Sequence, residues 1–251
     1  MNLADKHVVI SGGGSGVGAE MAVQFAQAGA KVTILGRRAE ALDEVAQNCD
    51  ALPVTCDVTN RDGLSAGLFV ASDLNGPVDI AIANAGAAPS LPFEKMSVMD
   101  FEDSLAVNLT GVFNLWQVCL PGMKAQGWGR LIAVSSTAGL KGYPYVSGYC
   151  AAKHGVIGLT RALAVELARS GVTVNAICPG FIETPMLQRS IDTIVSKTGM
   201  RPEQAAKSLR SGNPQGRFIQ PDEVAKAALW LASEGAASVN GTALPISGGE
   251  I

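Results

Sequence analysis

"SGGGSGVG", residues 11–18, sets five glycines between two differently patterned segments. Ahead of it, "HVVIS" (7–11) is a short β-branched run. Behind it, "AEMAVQFAQAG" (19–29) is apolar at helical spacing and closes on Gly29. A strand feeding a helix through glycines suggests a phosphate cradle, because glycine lets backbone N–H groups approach an anion at a helix N-terminus. The spacing is not G-x-G-x-x-G, which, begun at Gly12, would end at position 17, occupied by Val17. What stands here is Gly12-x-x-x-Gly16-x-Gly18, and taken alone it also reads as a flexible loop.

The alternation continues along the chain. "KVTIL" (31–35), "LPVTC" (52–56), "VDIAIA" (78–83), "RLIAVSS" (130–136), "VTVNAIC" (172–178) and "TALPI" (242–246) read as further strands. Helical patterns lie near 17–28, 38–48, 60–73, 100–120, 148–169, 202–211 and 221–233. Seven apolar strands separated by helices predict an α/β, Rossmann-like, doubly wound parallel sheet in three layers. Ligands then belong outside the strands' C-terminal ends. We expect one domain over 1–251, with an irregular substrate loop near 184–221 that interrupts the alternation as a lid.

Bulk properties limit the alternatives. At 47% hydrophobic and 16% charged, with 29 glycines, the chain is neither disordered nor fibrous. A net charge of −3 leaves no basic footprint for nucleic acid. Cys49, Cys56, Cys119, Cys150 and Cys178 are odd in number and lack C-x-x-C spacing, so they read as reduced residues of a cytoplasmic protein. The opening "MNLADKHVVIS" is not expected to be a signal peptide. The uncharged stretch Ser104 to Met123 contains Asn108, Asn114, Gln117 and Pro121, which suits a buried helix and not a membrane span.

Several strand ends carry polar or turn residues. "ANAG" (83–86) follows the fourth strand, "SSTAG" the fifth with Ser135 and Ser136, and "CPGFIET" the sixth with Pro179, Gly180 and Thr184. Each has a structural reading as well: Asn84 as a tie between loops, Ser136 as a helix cap, Pro-Gly as a plain turn. In "GYCAAKHGVIGLTRALAVE", Tyr149 and Lys153 are four apart and share a helix face. An ammonium beside a phenol favours the phenolate, so we expect the Tyr149 pKa to be lowered toward usable acid–base chemistry.

Together these segments resemble the short-chain dehydrogenase/reductase family, in its branch of roughly 250-residue chains. The family pattern T-G-x-x-x-G-x-G matches residues 11–18 with Ser11 in place of Thr, and N-N-A-G matches "ANAG" with Ala83 in place of the first Asn. The resemblance implies a catalytic tetrad of Asn108, Ser136, Tyr149 and Lys153. Tyr149 exchanges the proton of the substrate oxygen, Ser136 hydrogen-bonds that oxygen, Lys153 holds the ribose, and Asn108 anchors a relay water. The dinucleotide would lie against Ser11, Gly12, Gly14, Ser15, Gly16, Val17 and Gly18, then Asp57 and Val58 at the adenine. Asn84, Ala85, Gly86, Tyr149, Lys153, Pro179, Gly180, Ile182 and Thr184 complete that set. The glycines then cradle a pyrophosphate.

The second strand ends "LGRRAE", where NAD-type sheets carry an acid for the ribose 2′-OH. Arg37 and Arg38 suit a 2′-phosphate and favour NADP(H), with NAD(H) as the alternative. Ser15, where many NADP-dependent relatives carry Lys or Arg, argues the other way. Tyr143, Tyr145, Val146 and Met186 are expected to form an apolar wall around a ketone or secondary alcohol, in a 3-oxoacyl or similar setting. Lys197, Arg201, Lys207 and Arg210 read as a solvated face or as a dock for a thioester carrier.

With His7 and His154 the only histidines, no metal is expected. His154 and Cys150 read as packing residues. The rival readings are a non-catalytic dinucleotide sensor, an NAD-dependent alcohol or diol dehydrogenase, and an epimerase or dehydratase of the extended branch. Family members usually form homotetramers.

Overall fold

The computed structural model describes residues 3–251. Its strands are β1 (His7–Ser11), β2 (Lys31–Gly36), β3 (Leu52–Thr55), β4 (Ile80–Ala83), β5 (Gly129–Val134), β6 (Val172–Pro179) and β7 (Ala243–Ile246). Among the described residues they form one seven-stranded sheet in the order β3-β2-β1-β4-β5-β6-β7, with every pairing parallel. Parallel neighbours need crossovers, and the helices supply them: α1 (Gly16–Gln27), α2 (Ala39–Cys49), α3 (Arg61–Asn75), α4 (Val98–Leu105), α5 (Gly111–Gln126), α6 (Ser147–Glu166), α7 (Pro185–Thr198), α8 (Pro202–Arg210) and α9 (Pro221–Ala232).

The two faces of the sheet are filled by the alternation of side chains along each strand. Val8 and Ile10 of β1 join Met21 and Phe25 of α1 and Val224 and Ala228 of α9 in one core. Val9 points the other way, into a core with Leu64 of α3, Leu115 and Trp116 of α5, and Val156 of α6. Burying Phe25 or Met21 fully, as here, stabilises the fold by roughly 1.5–3 kcal/mol each. His7 belongs to this framework: its ring is buried between the Gly76 carbonyl (2.7 Å) and Thr33 Oγ1 (2.8 Å), and burial lowers its pKa. No helix among the described residues is long and apolar enough to cross a membrane.

Two regions differ from the expected pattern. The helix expected over 100–120 is α4, a π-helical turn at Ala106–Thr110, and α5. Asn108 Nδ2 donates to the Ser104 carbonyl at 2.9 Å, competing for the acceptor that an unbroken α-helix gives to the backbone four residues on. The irregular stretch expected over 184–221 is largely helical, because α7 occupies its first part. Thr184 Oγ1 caps α7 by accepting from Leu187 N (3.4 Å), Pro185 takes the first helical position, and Gly199 ends it in the left-handed region (φ 71°). Leu187, Ile191 and Ala205 form a small core of their own beneath α7 and α8, joined by Phe181 and Phe218.

Candidate active site

The sheet's strand order reverses at β1, whose neighbours are β2 and β4, and the glycine turn leaves β1 at that switch point. Gly12 N donates to the Leu35 carbonyl at 2.7 Å. Ser11 Oγ accepts from the backbone N–H of Asn84 (3.0 Å) and Ala85 (3.1 Å), while Asn84 Nδ2 donates to the carbonyls of Ser11 (3.0 Å) and Gly12 (3.3 Å). Asn84 thus ties the end of β4 to the glycine turn. Gly18 is required by proximity: a Cβ there would lie 2.2 Å from the Gly12 carbonyl oxygen, so α1 could not pack as it does.

Ser15 precedes α1 in extended conformation without capping it, and the helix's first turn carries no acidic residue. The leading N–H groups of α1 therefore have no side-chain acceptor and face the cleft with their positive partial charge. That donor set fits a pyrophosphate. Val17 is buried beneath it, Gly14 packs against Ala41 of α2, and the Thr184 methyl would lie 3.2 Å from a Cβ on Gly16, closing the cradle from the β6 side.

Beyond β2, Arg37 is 73% exposed, with Asp57 Oδ2 3.8 Å from its guanidinium. Arg38 stands at the start of α2 without capping it. Asp57 Oδ1 accepts from Thr59 N (2.9 Å) and Oγ1 (2.8 Å), and these bonds, chiefly the backbone one, hold its carboxyl below the usual range. Val58 is buried, with its carbonyl accepting from Asn114 Nδ2 at 2.9 Å.

Beyond β5, Ser136 opens a 3₁₀ turn (Thr137–Gly139), its Oγ accepting from Ala138 N at 3.1 Å. α6 can approach because the residues between are small. Ser135 Oγ donates to the Lys153 carbonyl (3.2 Å), and a Cβ on Gly139 would meet that carbonyl oxygen at 2.8 Å. The approach sets the Tyr149 phenol beside the Ser136 hydroxyl, which favours its ionised form. Lys153, 3% exposed, donates from Nζ to the Val134 carbonyl at 2.8 Å and lies 5.6 Å from the Tyr149 ring centre. Asn108 completes the group: Oδ1 accepts from Ala87 N (3.1 Å) and Nδ2 donates to Ala87 O (2.8 Å), beside Gly86.

The lowered Tyr149 pKa expected from the sequence is not what this geometry gives. Burial pushes the phenol up to about 12, against the opposing effect of the neighbouring Ser136 hydroxyl. Lys153 does little to counter it, because Nζ is turned to Val134 O and burial draws its own pKa down to about 8. The expected apolar wall also differs. Tyr145 is 62% exposed with φ 66°, and the Tyr143 hydroxyl is engaged in polar contacts. His154 lies on the exposed side of α6, its Nδ1 2.9 Å from the Cys150 carbonyl and turned away from Tyr149 and Lys153. Pro179 ends β6, Gly180 N donates to the Ile246 carbonyl (3.0 Å), and Ile182, ahead of α7, bridges to Ile219, ahead of α9.

A family model described as short chain dehydrogenase matches residues 6–195. The chain belongs to the short-chain dehydrogenase family. It is 36% identical over 252 residues to the D-beta-hydroxybutyrate dehydrogenase of Rhizobium meliloti, covering 97% of this chain and 98% of that one. It is 37% identical to the 3-oxoacyl-[acyl-carrier-protein] reductase of Thermotoga maritima, covering 99% of each. Its structure superposes on a crystal structure of a single-substitution variant of actinorhodin polyketide ketoreductase with NADPH at a TM-score of 0.95, with 34% identity over 100% of this chain and 99% of that one. This short-chain dehydrogenase is therefore an NAD(P)-dependent oxidoreductase that interconverts a ketone and a secondary alcohol.

One group that this dehydrogenase brings to the site was not found from its sequence. Glu250 turns back against Gly180 and Gly212, at the two ends of the α7–α8 segment, and accepts from the Tyr143 hydroxyl. The available signal was a lone acid behind the Gly248-Gly249 pair that follows β7.

Proposed function

We propose that Ser136, Tyr149 and Lys153 form the catalytic centre of a reductase that prefers NADP(H) and acts on a 3-oxoacyl-type or similar ketone. The observation that carries this reading is Ser136 just after β5 with Tyr149 and Lys153 one turn apart on α6, Lys153 Nζ 5.6 Å from the Tyr149 ring centre, in a fold whose glycine turn leaves β1 for the uncapped start of α1. A bound nicotinamide dinucleotide supplies or accepts the hydride. Tyr149 gives its proton to the substrate oxygen in reduction and takes it back in oxidation. Ser136 donates a hydrogen bond to the same oxygen as charge develops on it. Lys153 holds the ribose hydroxyls, and Asn108 keeps the Ala87 loop and the π turn in place beside it, anchoring a relay water. The remaining cradle residues are proposed to contact the dinucleotide as their position after β1, β3, β4 and β6 suggests. The chain is proposed to work as a single domain, in the cytoplasm and as a homotetramer, which sedimentation would check.

The Tyr149 environment sets a pH dependence. Reduction needs the phenol protonated, and burial keeps it so through neutral pH. Oxidation needs the phenolate, which is scarce well below a pKa near 12. Ketone reduction is expected to change by less than about twofold between pH 6 and 7.5, whereas alcohol oxidation climbs by up to about tenfold per pH unit over that range. Initial rates in both directions check this, and a reduction rate that falls steeply across that range would refute it.

Arg37 supports the choice of dinucleotide: no acid stands at the end of β2, and Arg37 and Arg38 leave a positive, exposed rim there. Charge-assisted contacts to a 2′-phosphate are worth about 1.5–3 kcal/mol each, discounted here for exposure, so NADPH should exceed NADH in kcat/KM by more than about tenfold. Replacing both arginines by Ala should erase the preference. A dinucleotide-absorbance screen over ketones, 3-oxoacyl thioesters and secondary alcohols tests the reading, and activity confined to polyols or sugars, or equal use of NADH by the wild-type enzyme, would overturn it.

A further inference from the structure

We propose that Glu250 is a positioning residue that sets which ketones fit the site, by clamping the 140–146 loop to both roots of the lid. The inference rests on the carbonyl–alcohol reading above.

Gly248 (φ 62°) and Gly249 (φ 94°) turn the chain back after β7, and a Cβ on Gly248 would come within 2.1 Å of Asn213 Oδ1. The turn delivers Glu250 beneath the lid. Its side chain is only 5% exposed and lies against Gly180 and Gly212, 3.2 and 3.0 Å from where their Cβ atoms would stand. Gly180 precedes α7 and Gly212 follows α8, so one carboxylate touches the chain where the lid leaves the body and where it returns.

A buried carboxylate persists only when paired. Here Lys141 Nζ is 2.9 Å from Oε1, and the Tyr143 hydroxyl donates to the same oxygen at 2.5 Å. The Tyr143 hydroxyl also lies 2.7 Å from Thr137 Oγ1, and Thr137 directly follows Ser136. Burial and the Glu250 carboxylate keep the Tyr143 phenol protonated, and hence a donor. The Tyr143 ring packs edge-on against Phe181 (centroids 6.2 Å apart, 88°), and Phe181 belongs to the lid's own core.

The lid's outer side has a separate tether, from Lys197 Nζ to the Ser90 carbonyl at 3.3 Å. Lys197 is exposed and the contact is long, so Glu250 is the firmer anchor. The clamp acts where a substrate's flanking group must pass between the 140–146 loop and the lid. Releasing it widens that gap without touching the glycine turn.

The test compares wild type, Glu250→Gln, Glu250→Ala, Tyr143→Phe and the Glu250→Ala/Tyr143→Phe double variant on one small and one bulky ketone, with dinucleotide Kd measured alongside. Glu250→Ala and Tyr143→Phe are each expected to lower the small-over-bulky ratio of kcat/KM about tenfold, chiefly through the KM for ketone, with dinucleotide Kd moving less than about threefold because the glycine turn is untouched. The double variant should be no worse than either single one. Glu250→Gln should retain most of the selectivity, because its amide oxygen still accepts from Tyr143. Hydrogen exchange in Glu250→Ala should quicken over 140–146 and 181–211 and stay unchanged at 11–18.

An unaltered substrate ratio, additive effects in the double variant, or a uniform loss on both ketones would overturn the clamp. If the wild-type protein reduced no ketone, the function proposed above would fall, and unchanged exchange in Glu250→Ala would still overturn the clamp by itself.

Discussion

Replacing Tyr149 by Phe is expected to lower kcat about 10³-fold while dinucleotide Kd moves less than about twofold. The substitution removes one oxygen and leaves the ring in place on α6, 5.6 Å from Lys153 Nζ. Ser136 keeps its bond from Ala138 N, so the 3₁₀ turn after β5 stays formed. Lys153 keeps its bond to the Val134 carbonyl, so its place in the cleft does not depend on the phenol. What is lost is the proton that the substrate oxygen needs as hydride arrives, an interaction made only in the transition state. Stopped-flow reduction of a ketone, together with fluorescence titration of the dinucleotide, separates the two quantities. Residual turnover within tenfold of wild type would remove Tyr149 from the chemistry.

Gly18→Ala should have the opposite signature. Its Cβ would stand 2.2 Å from the Gly12 oxygen, 2.9 Å from the Gly12 carbonyl carbon and 2.6 Å from Asn84 Nδ2. Two of these atoms are backbone, and the third is committed to bonds with Ser11 and Gly12, so none can yield cheaply. Helix α1 must therefore draw back from the glycine turn, weakening its contacts with β1 and moving its leading N–H groups off the cleft. Overpacking of this kind costs about 1–3 kcal/mol, and dinucleotide affinity is expected to fall by about tenfold to a hundredfold. A lowered Tm with kcat at saturating dinucleotide within a fewfold of wild type is the expected result. Unchanged Kd would mean that the glycine turn does not hold the pyrophosphate.

The two substitutions draw on different kinds of information. The glycine spacing, the strand–helix alternation and the i,i+4 placement of Tyr149 and Lys153 are local properties, and the chain's parallel order follows from them through the need for crossovers. The start and end of α7 were also written locally, in Thr184-Pro185 and Gly199, although the polar surface of the segment favours a loop reading.

Other features depend on which surfaces meet. At the π turn the Asn108 amide takes the Ser104 carbonyl and also reaches Ala87, the latter a contact without a periodic signature. The direction of the Tyr149 shift is decided by burial beneath packed elements, and the bearing of Lys153 by the Val134 carbonyl that β5 presents to it. Glu250 meets Tyr143 across 107 residues of chain. Sequence alone therefore determined the sheet, because periodicity and spacing act within a few residues, and through the family resemblance it pointed to the cradle and to the hydroxyls proposed to react. Tertiary structure decided their proton affinities and the shape of the substrate side, because desolvation and long-range hydrogen bonds exist only once distant segments have packed together.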